Sequence, residues 1–371
     1  MENTNKGDDF VKARVVFVFS SFAGGGSERV LVTLANSLSK DKFEVICIAL
    51  TASGPILEEL DACIPVHDLG CARLRSGILF LLWKLRKLAP THIVTTMAYM
   101  NFGVLLTRYC TSFEAAVIVR EANEPEATFA AGPPRPLMKW LYQWLYPRAA
   151  AVICPSIKIE SSLRLNVGIS GMRSSVLHNP IDQDRLRSLA VPLRRHPGNG
   201  RRFVAAGRLV SQKGFDRLLN IFSDCDPLDH LTILGDGPEH AVLANLATRL
   251  GISSRVTFKG FVKRPWSWFA GADAVLLTSR WEGMPNVALE GLACGTPVVA
   301  TPESGGISEV AAEAPRDAVM IAPIGDEYIL RLKDVKASQV SDLRPSLLPA
   351  SFELTQVVSG FENLLLATSA S

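Results

Sequence analysis

Two carboxylates, Glu282 and Glu290, stand eight positions apart in TSRWEGMPNVALEGLACGTPVVAT (278–301). Pro285 suits the first position of a helix, where its missing N–H would be unpaired anyway. Gly295 suits the residue just past a helix end, where a left-handed backbone is common. PNVALEGLAC between them therefore predicts a short helix. Its free amides near Asn286 and Val287, with Gly283 and Met284 leading into them, would face an anion, supported by the helix dipole. Glu290 lies one turn deeper, roughly 6 Å along the axis from Asn286 at 1.5 Å per residue. Amides for a phosphate and a carboxylate for ring hydroxyls, at that offset, suit a nucleotide sugar.

Glu282 precedes the helix in a loop, where a carboxylate beside a phosphate-binding tip would meet sugar hydroxyls. Arg208 and Lys213, in GRLVSQKGFDRLL, can point over one crevice. Two cations there would neutralise a diphosphate and the charge it gains on leaving. Gly25 and Gly26, after Gly24, make a turn that lets the backbone approach a phosphate or sugar, and Ser27 would cap the following helix. This loop is not GxGxxG, and Leu50 and Thr51 rather than an acid end the second apolar run, so a dinucleotide site is poorly supported. Gly235 and Gly237 in GDGPEH (235–240) either line the nucleotide cleft or serve the turn alone. Phe261, in KGFVKR (259–264), sits where backbone could pair with a base edge.

Short Val- and Ile-rich runs must position these groups. They fall at 14–20, 43–50, 91–97, 115–121, 150–156 and 174–180, then at 202–208, 231–237, 255–261, 273–279, 296–302 and 318–323. Continuous apolar runs, as opposed to alternating ones, mark strands buried on both faces of a parallel sheet. Helical patterns such as 27–39 and 239–250 supply the crossovers. The expected class is α/β, with two Rossmann-like domains facing one another. The break falls near 180–200, in the charged, Pro- and Gly-containing DQDRLRSLAVPLRRHPGNGRR, and 352–366 predicts a closing helix. Ligands bind at the carboxyl ends of strands in such sheets, where the named residues lie.

The 371 residues, 48% apolar and 20% charged, are a globular composition with room for two domains. A net charge of +3 gives no strong field for nucleic acid. Seven scattered cysteines without a CxxC pair predict reduced thiols. The polar start MENTNKGDDFVKAR is no secretory signal, and the longest apolar run, ILFLLW at 78–83, is too short to span a membrane. A cytoplasmic protein, soluble or peripheral on the inner face of the membrane, is expected.

EGMPNVALEGLACGTPVVAT resembles the Glu-x7-Glu signature of the retaining glycosyltransferases of family 4 (group 1), which have the GT-B fold. GRLVSQKGFDRLL is similar to that family's Arg/Lys phosphate loop, GGGSERVLVTLANSL to its first glycine loop, LHNPID (177–182) to its interdomain segment and LTILGDGPEHAVL to its central second-domain strand and turn. The likeness runs in order from about 14 to 310. It implies residues 1–180 as an acceptor-binding domain, 181–351 as the nucleotide-sugar domain, and a C-terminal helix, 352–371, returning to the first domain. It implies that Glu290 holds the donor ribose, Glu282 the transferred sugar, and Arg208 and Lys213 the diphosphate. It also implies a UDP-sugar as donor substrate, a lipid-linked or growing surface saccharide as acceptor, retention of configuration, and no metal or cofactor.

One departure stands out. Where many family members carry a histidine after a first-domain strand, this chain reads VREANEP (119–125), and Glu121 or Asn123 would take that place. This looks like a subgroup that moves amino sugars or galactose-type sugars. The six histidines have no metal-ligand spacing, and the acidic DCD at 224–226 precedes a strand instead of ending one, which predicts a solvated turn. Two basic, apolar segments, CARLRSGILFLLWKLRKLAP and PRPLMKWLYQWLYPR, read either as helices lying in an anionic interface or as ordinary helices packed on a sheet. Other readings of the same frame are a nucleotide-sugar epimerase or a silent sugar-nucleotide-binding partner.

Overall fold

The computed structural model describes residues 12–109, 114–126, 129, 135–191, 200–337 and 342–369. The extreme N-terminus, Cys110, His196 and residues 192–199 of the proposed 180–200 break thus lie outside the described residues. The chain forms two parallel sheets. The first has seven strands in the order β3-β2-β1-β4-β5-β6-β7. They are β1 (Ala13–Phe19), β2 (Phe43–Ala49), β3 (Val66–Asp68), β4 (His92–Thr96), β5 (Ala116–Arg120), β6 (Ala151–Cys154) and β7 (Ser174–Val176). The second has six in the order β10-β9-β8-β11-β12-β13. They are β8 (Arg202–Ala206), β9 (His230–Leu234), β10 (Val256–Phe258), β11 (Ala274–Leu277), β12 (Val298–Ala300) and β13 (Val319–Ile321). Each apolar run became a strand because helices cover both faces of both sheets; Val15 to Phe19 are no more than 1% exposed. Sequence reading missed β3: it is a half-buried edge strand, VHD, too short to show an apolar run.

The strand order reverses between β1 and β4 in one sheet and between β8 and β11 in the other. At such a switch point neighbouring connections leave in opposite directions and open a crevice at the strand ends. The loops after β1, β8 and β11 carry the glycine turn, Arg208 with Lys213, and Glu282.

Two chain crossings join the halves side by side. Ile181 pairs with Glu353, the Ile181 N–H donates to Phe352 O at 2.9 Å, and the Leu354 N–H donates to Ile181 O at 3.0 Å. The helix Leu354–Ser369 then lies against the first sheet, burying Val357, Phe361 and Leu365 beside Phe17. Its Glu362 accepts the Ser39 N–H at 2.8 Å.

On the other face of the first sheet the helices Leu74–Leu88, Ala98–Tyr109 and Arg135–Leu145 pack side by side. The first turns Gly77, Leu81 and Leu85 inward, yet leaves Leu79 and Trp83 74% and 60% exposed. Both basic segments pack on the sheet through one side and also present apolar residues outward, Phe80 and Trp140 among them. No helix among the described residues is long and apolar enough to cross a membrane.

Candidate active site

A cleft of about 800 Å³ lies between the carboxyl edges of the two sheets. Its second-sheet wall begins at the helix Asn286–Ala293. Pro285 is the residue before this helix, one position earlier than its expected place inside the first turn, because its ψ of 96° is still extended. The helix's own hydrogen bonds begin when the Ala288 N–H donates to Pro285 O at 3.0 Å. Asn286 and Val287 therefore bring amides to the cleft that the helix itself does not use. Gly295, at φ +75°, ends the element.

Glu282 is 6% exposed. The Lys213 ammonium and the Ser279 hydroxyl, at 2.8 Å, both donate to its Oε1. Lys213 can reach it because the loops after β8 and β11 lie against each other. Gly214, at φ +65°, has no Cβ to strike Thr278 O, which would lie 2.1 Å away. Thr278 Oγ1 donates to Gly214 O at 2.9 Å and fixes the contact. Arg208 lines the same cleft and is exposed.

Glu290 sits one turn into the helix, where Trp266 Nε1 donates to its Oε2 at 3.1 Å. Burial pushes its carboxyl above the ordinary range, with the Arg29 charge and the Trp266 hydrogen bond opposing that rise. Gly235 donates its N–H to Gly260 O at 2.7 Å, and with Phe261 and Val262 it lines the neighbouring wall. Gly24, Gly25, Gly26 and Ser27 face them from the first sheet. The arrangement offers an amide-rich tip, a paired Lys and Glu, a free Arg and a buried carboxylate, all on one cavity.

Two family descriptions match in succession: "Glycosyltransferase Family 4" over residues 24–185 and "Glycosyl transferases group 1" over 194–335. The chain belongs to the group 1, family 4 glycosyltransferases. Among its relatives is the Campylobacter jejuni N-acetylgalactosamine-N,N'-diacetylbacillosaminyl-diphospho-undecaprenol 4-alpha-N-acetylgalactosaminyltransferase, 27% identical over 306 residues, or 80% of this chain and 82% of that one. Among solved structures, Anabaena HepE in complex with UDP-glucose has a TM-score of 0.75 at 18% identity, covering 95% of this chain and 99% of that one. Sucrose-phosphate synthase from Thermosynechococcus elongatus has a TM-score of 0.79 at 17% identity, covering 97% and 100%. The architecture is GT-B.

Several residues of this glycosyltransferase stand elsewhere than their sequence suggests. Glu121 does not line the cleft: successive side chains leave a strand end on opposite sides, and here Arg120 takes the cleft side. Glu121 is 1% exposed and accepts hydrogen bonds from the Tyr142 hydroxyl at 3.4 Å and from the Tyr146 hydroxyl. Burial pushes its carboxyl up to about 8, against the opposing pull of Tyr142, Asn101 and the Arg120 charge. Asn123 does line the cleft. Ser27 is no cap: the helix starts at Gly26 after Gly25, and Ser27 Oγ donates to Glu28 at 3.0 Å. Gly237 lies outside the cleft lining, in a turn where the Leu209 N–H donates to Asp236 O at 2.9 Å. Gly283 is also off the lining; a Cβ there would lie 2.1 Å from Ala122 O, so it marks where the two halves touch.

Sequence reasoning passed over other groups. Asn179, quoted only as part of a joining segment, donates from Nδ2 to Asn286 Oδ1 at 2.5 Å and accepts from Arg120. Ser279 and Trp266 hold the two glutamates and had no signal of their own. Met97, at φ +70°, lines the cleft in a backbone conformation that side chains resist. Asp226, of the acidic DCD, accepts the Leu228 N–H at 2.9 Å in an exposed turn. Among the described residues no group of three or more His, Cys, Asp or Glu side chains gathers where it could hold a metal ion.

Proposed function

We propose that this glycosyltransferase moves a sugar from a UDP-sugar to a lipid-linked or growing surface saccharide, with retention of configuration and with no resident metal or cofactor. The observation that carries the reading is the contact of Lys213 with Glu282 beside the free amides of the Asn286 helix. The amides, Arg208 and Lys213 hold the diphosphate. Glu290 holds the ribose, and Glu282 holds the transferred sugar. As the bond from C1 to the diphosphate breaks, its electron pair goes to the phosphate oxygen, which the cations and the helix tip stabilise. The acceptor hydroxyl adds to C1 on the same face and gives its proton to the departing diphosphate, so no protein nucleophile is used.

The acceptor enters over the first sheet. Its outward helix face joins Leu79, Phe80, Trp83 and Trp140 to basic residues, with Lys87 Nζ lying 5.5 Å from the centre of the Trp83 ring. An apolar face with a basic fringe suits the interface of an anionic membrane that carries a lipid-linked saccharide. The undecaprenol-linked substrate named for the Campylobacter relative supports that class.

The test is a transfer assay with a panel of UDP-sugars and mass detection, run on the parent and on Glu282→Ala. The parent should transfer, and the variant should lose about 100-fold or more in turnover. Equal activity in the two would remove the site. An epimerised sugar formed from donor alone would favour an epimerase, and donor binding without turnover a silent partner.

A further inference from the structure

Arg120 is a buried cation whose neighbouring carboxyl, Glu121, turns away from it to Tyr142 and Tyr146. It closes β5, lines the cleft and is 3% exposed. Among the described residues no carboxylate forms a salt bridge with it. Nη2 donates to Asn179 Oδ1, while Nη1 is buried with no hydrogen-bond partner. Burial pulls its pKa down to about 10, so the guanidinium still carries its charge at neutral pH. A charge in that position is costly unless something completes it. The other cleft cations differ: Lys213 has a carboxylate partner in Glu282 and Arg29 has one in Glu59, while Arg208 stands in solvent.

The place of Arg120 says what would complete it. Asn179, which accepts its Nη2 hydrogen, passes its own amide to Asn286, the first residue of the helix whose tip faces the cleft. Asn286 in turn donates from Nδ2 to Gly26 O at 3.4 Å, in the first-sheet glycine turn. The guanidinium thus sits one amide side chain away from the anion-holding tip, on the opposite sheet.

We propose that Arg120 is a first-domain cation of the donor site, which grips an oxygen of the donor's diphosphate from the acceptor side while the bond to the sugar breaks. This rests on the function proposed above. In that step the C1–O electron pair moves onto the diphosphate, the acceptor oxygen bonds to C1, and the acceptor's proton leaves with the diphosphate; Arg120 gains and loses no proton. Arg208 and Lys213 hold the diphosphate from the second sheet. Arg120 adds its contact only with the two sheets together, so it acts more on turnover than on affinity.

The test uses the full chain, Arg120→Met and Arg120→Lys, with UDP affinity by calorimetry, kcat and KM for transfer, and the thermal midpoint. Arg120→Met should keep the parent's midpoint, bind UDP within about threefold of the parent, and lose about 100-fold in kcat, the loss seen for a missing transition-state donor. A folded Arg120→Met with the parent's kcat and KM overturns the proposal. Should Arg120→Met not fold, Arg120→Lys decides: it keeps the charge but not the fork that serves Asn179 and a ligand together. A tenfold or greater fall in kcat with UDP affinity kept would support the proposal, and an unchanged kcat would overturn it. A loss confined to donors whose sugar bears a carboxylate would move Arg120 to that carboxylate and overturn the diphosphate assignment. A parent chain that neither binds UDP nor transfers takes down the functional reading as well, whereas a competent parent beside a competent Arg120→Met fails this inference alone.

Discussion

A carboxyl group buried behind the cleft gives this protein a pH signature of its own. Glu121 ionises near 4.5 when free and near 8 in the fold, mainly because burial disfavours its charge. Between those values the folded chain keeps a proton that the unfolded chain has released. Stability therefore falls as pH rises through that window, and levels off above it. Glu121→Gln cannot titrate and keeps the shape of the protonated acid. Thermal unfolding from pH 5 to 8.5 should show the parent's midpoint falling more steeply than the variant's. Parallel curves would mean that Glu121 is ionised in the fold. Turnover at a fixed pH should change by less than about threefold, because Glu121 lies off the cleft, where substitutions usually have small effects.

At the level of elements, the site is assembled by loops pressed together at two switch points. Gly283 is where the loop after β11 meets the loop after β5. A Cβ on Gly283 would lie 2.1 Å from Ala122 O, and one residue on, Met284 O accepts from Asn179 Nδ2 at 3.4 Å. A second contact pins the same seam: the Glu309 carboxylate, from the second half, accepts the Ile157 and Lys158 N–H groups at 2.9 and 3.0 Å. Gly283→Ala should hold the halves apart without unfolding either. The expected result is at least a tenfold loss of kcat, as near-attack geometry is spoiled, with a larger radius of gyration in X-ray scattering. Parent-like turnover would show that the seam can give.

On the scale of the whole molecule, the membrane contact proposed above rests on the outward face of the first sheet's helices. Replacing Leu79, Phe80 and Trp83 together by Ser removes three exposed apolar side chains, 59 to 74% accessible, and leaves the inward Leu81 and Leu85 in place. The variant should lose most of its co-sedimentation with anionic vesicles and keep the parent's kcat on a soluble acceptor. Vesicle binding should also weaken with salt, because part of it is attraction to the basic fringe. Vesicle binding equal to the parent's would exclude this face as the membrane contact.

Twelve of the thirteen strands and the helix at Asn286 were legible in the sequence, because buried parallel strands are continuous apolar runs and helix ends need particular residues such as Pro285 and Gly295. The placing of Arg208, Lys213, Glu282 and Glu290 on one cleft followed from each standing just after a strand or at a helix start. These features are encoded within a few neighbouring residues. The packed fold alone decided that Arg120 faces the cleft while Glu121 turns to Tyr142 and Tyr146, that Asn179 bridges to Asn286 more than a hundred positions away, and that Lys213 closes on Glu282. Each of those depends on which strand lies beside which, and on a register that no short stretch of chain contains.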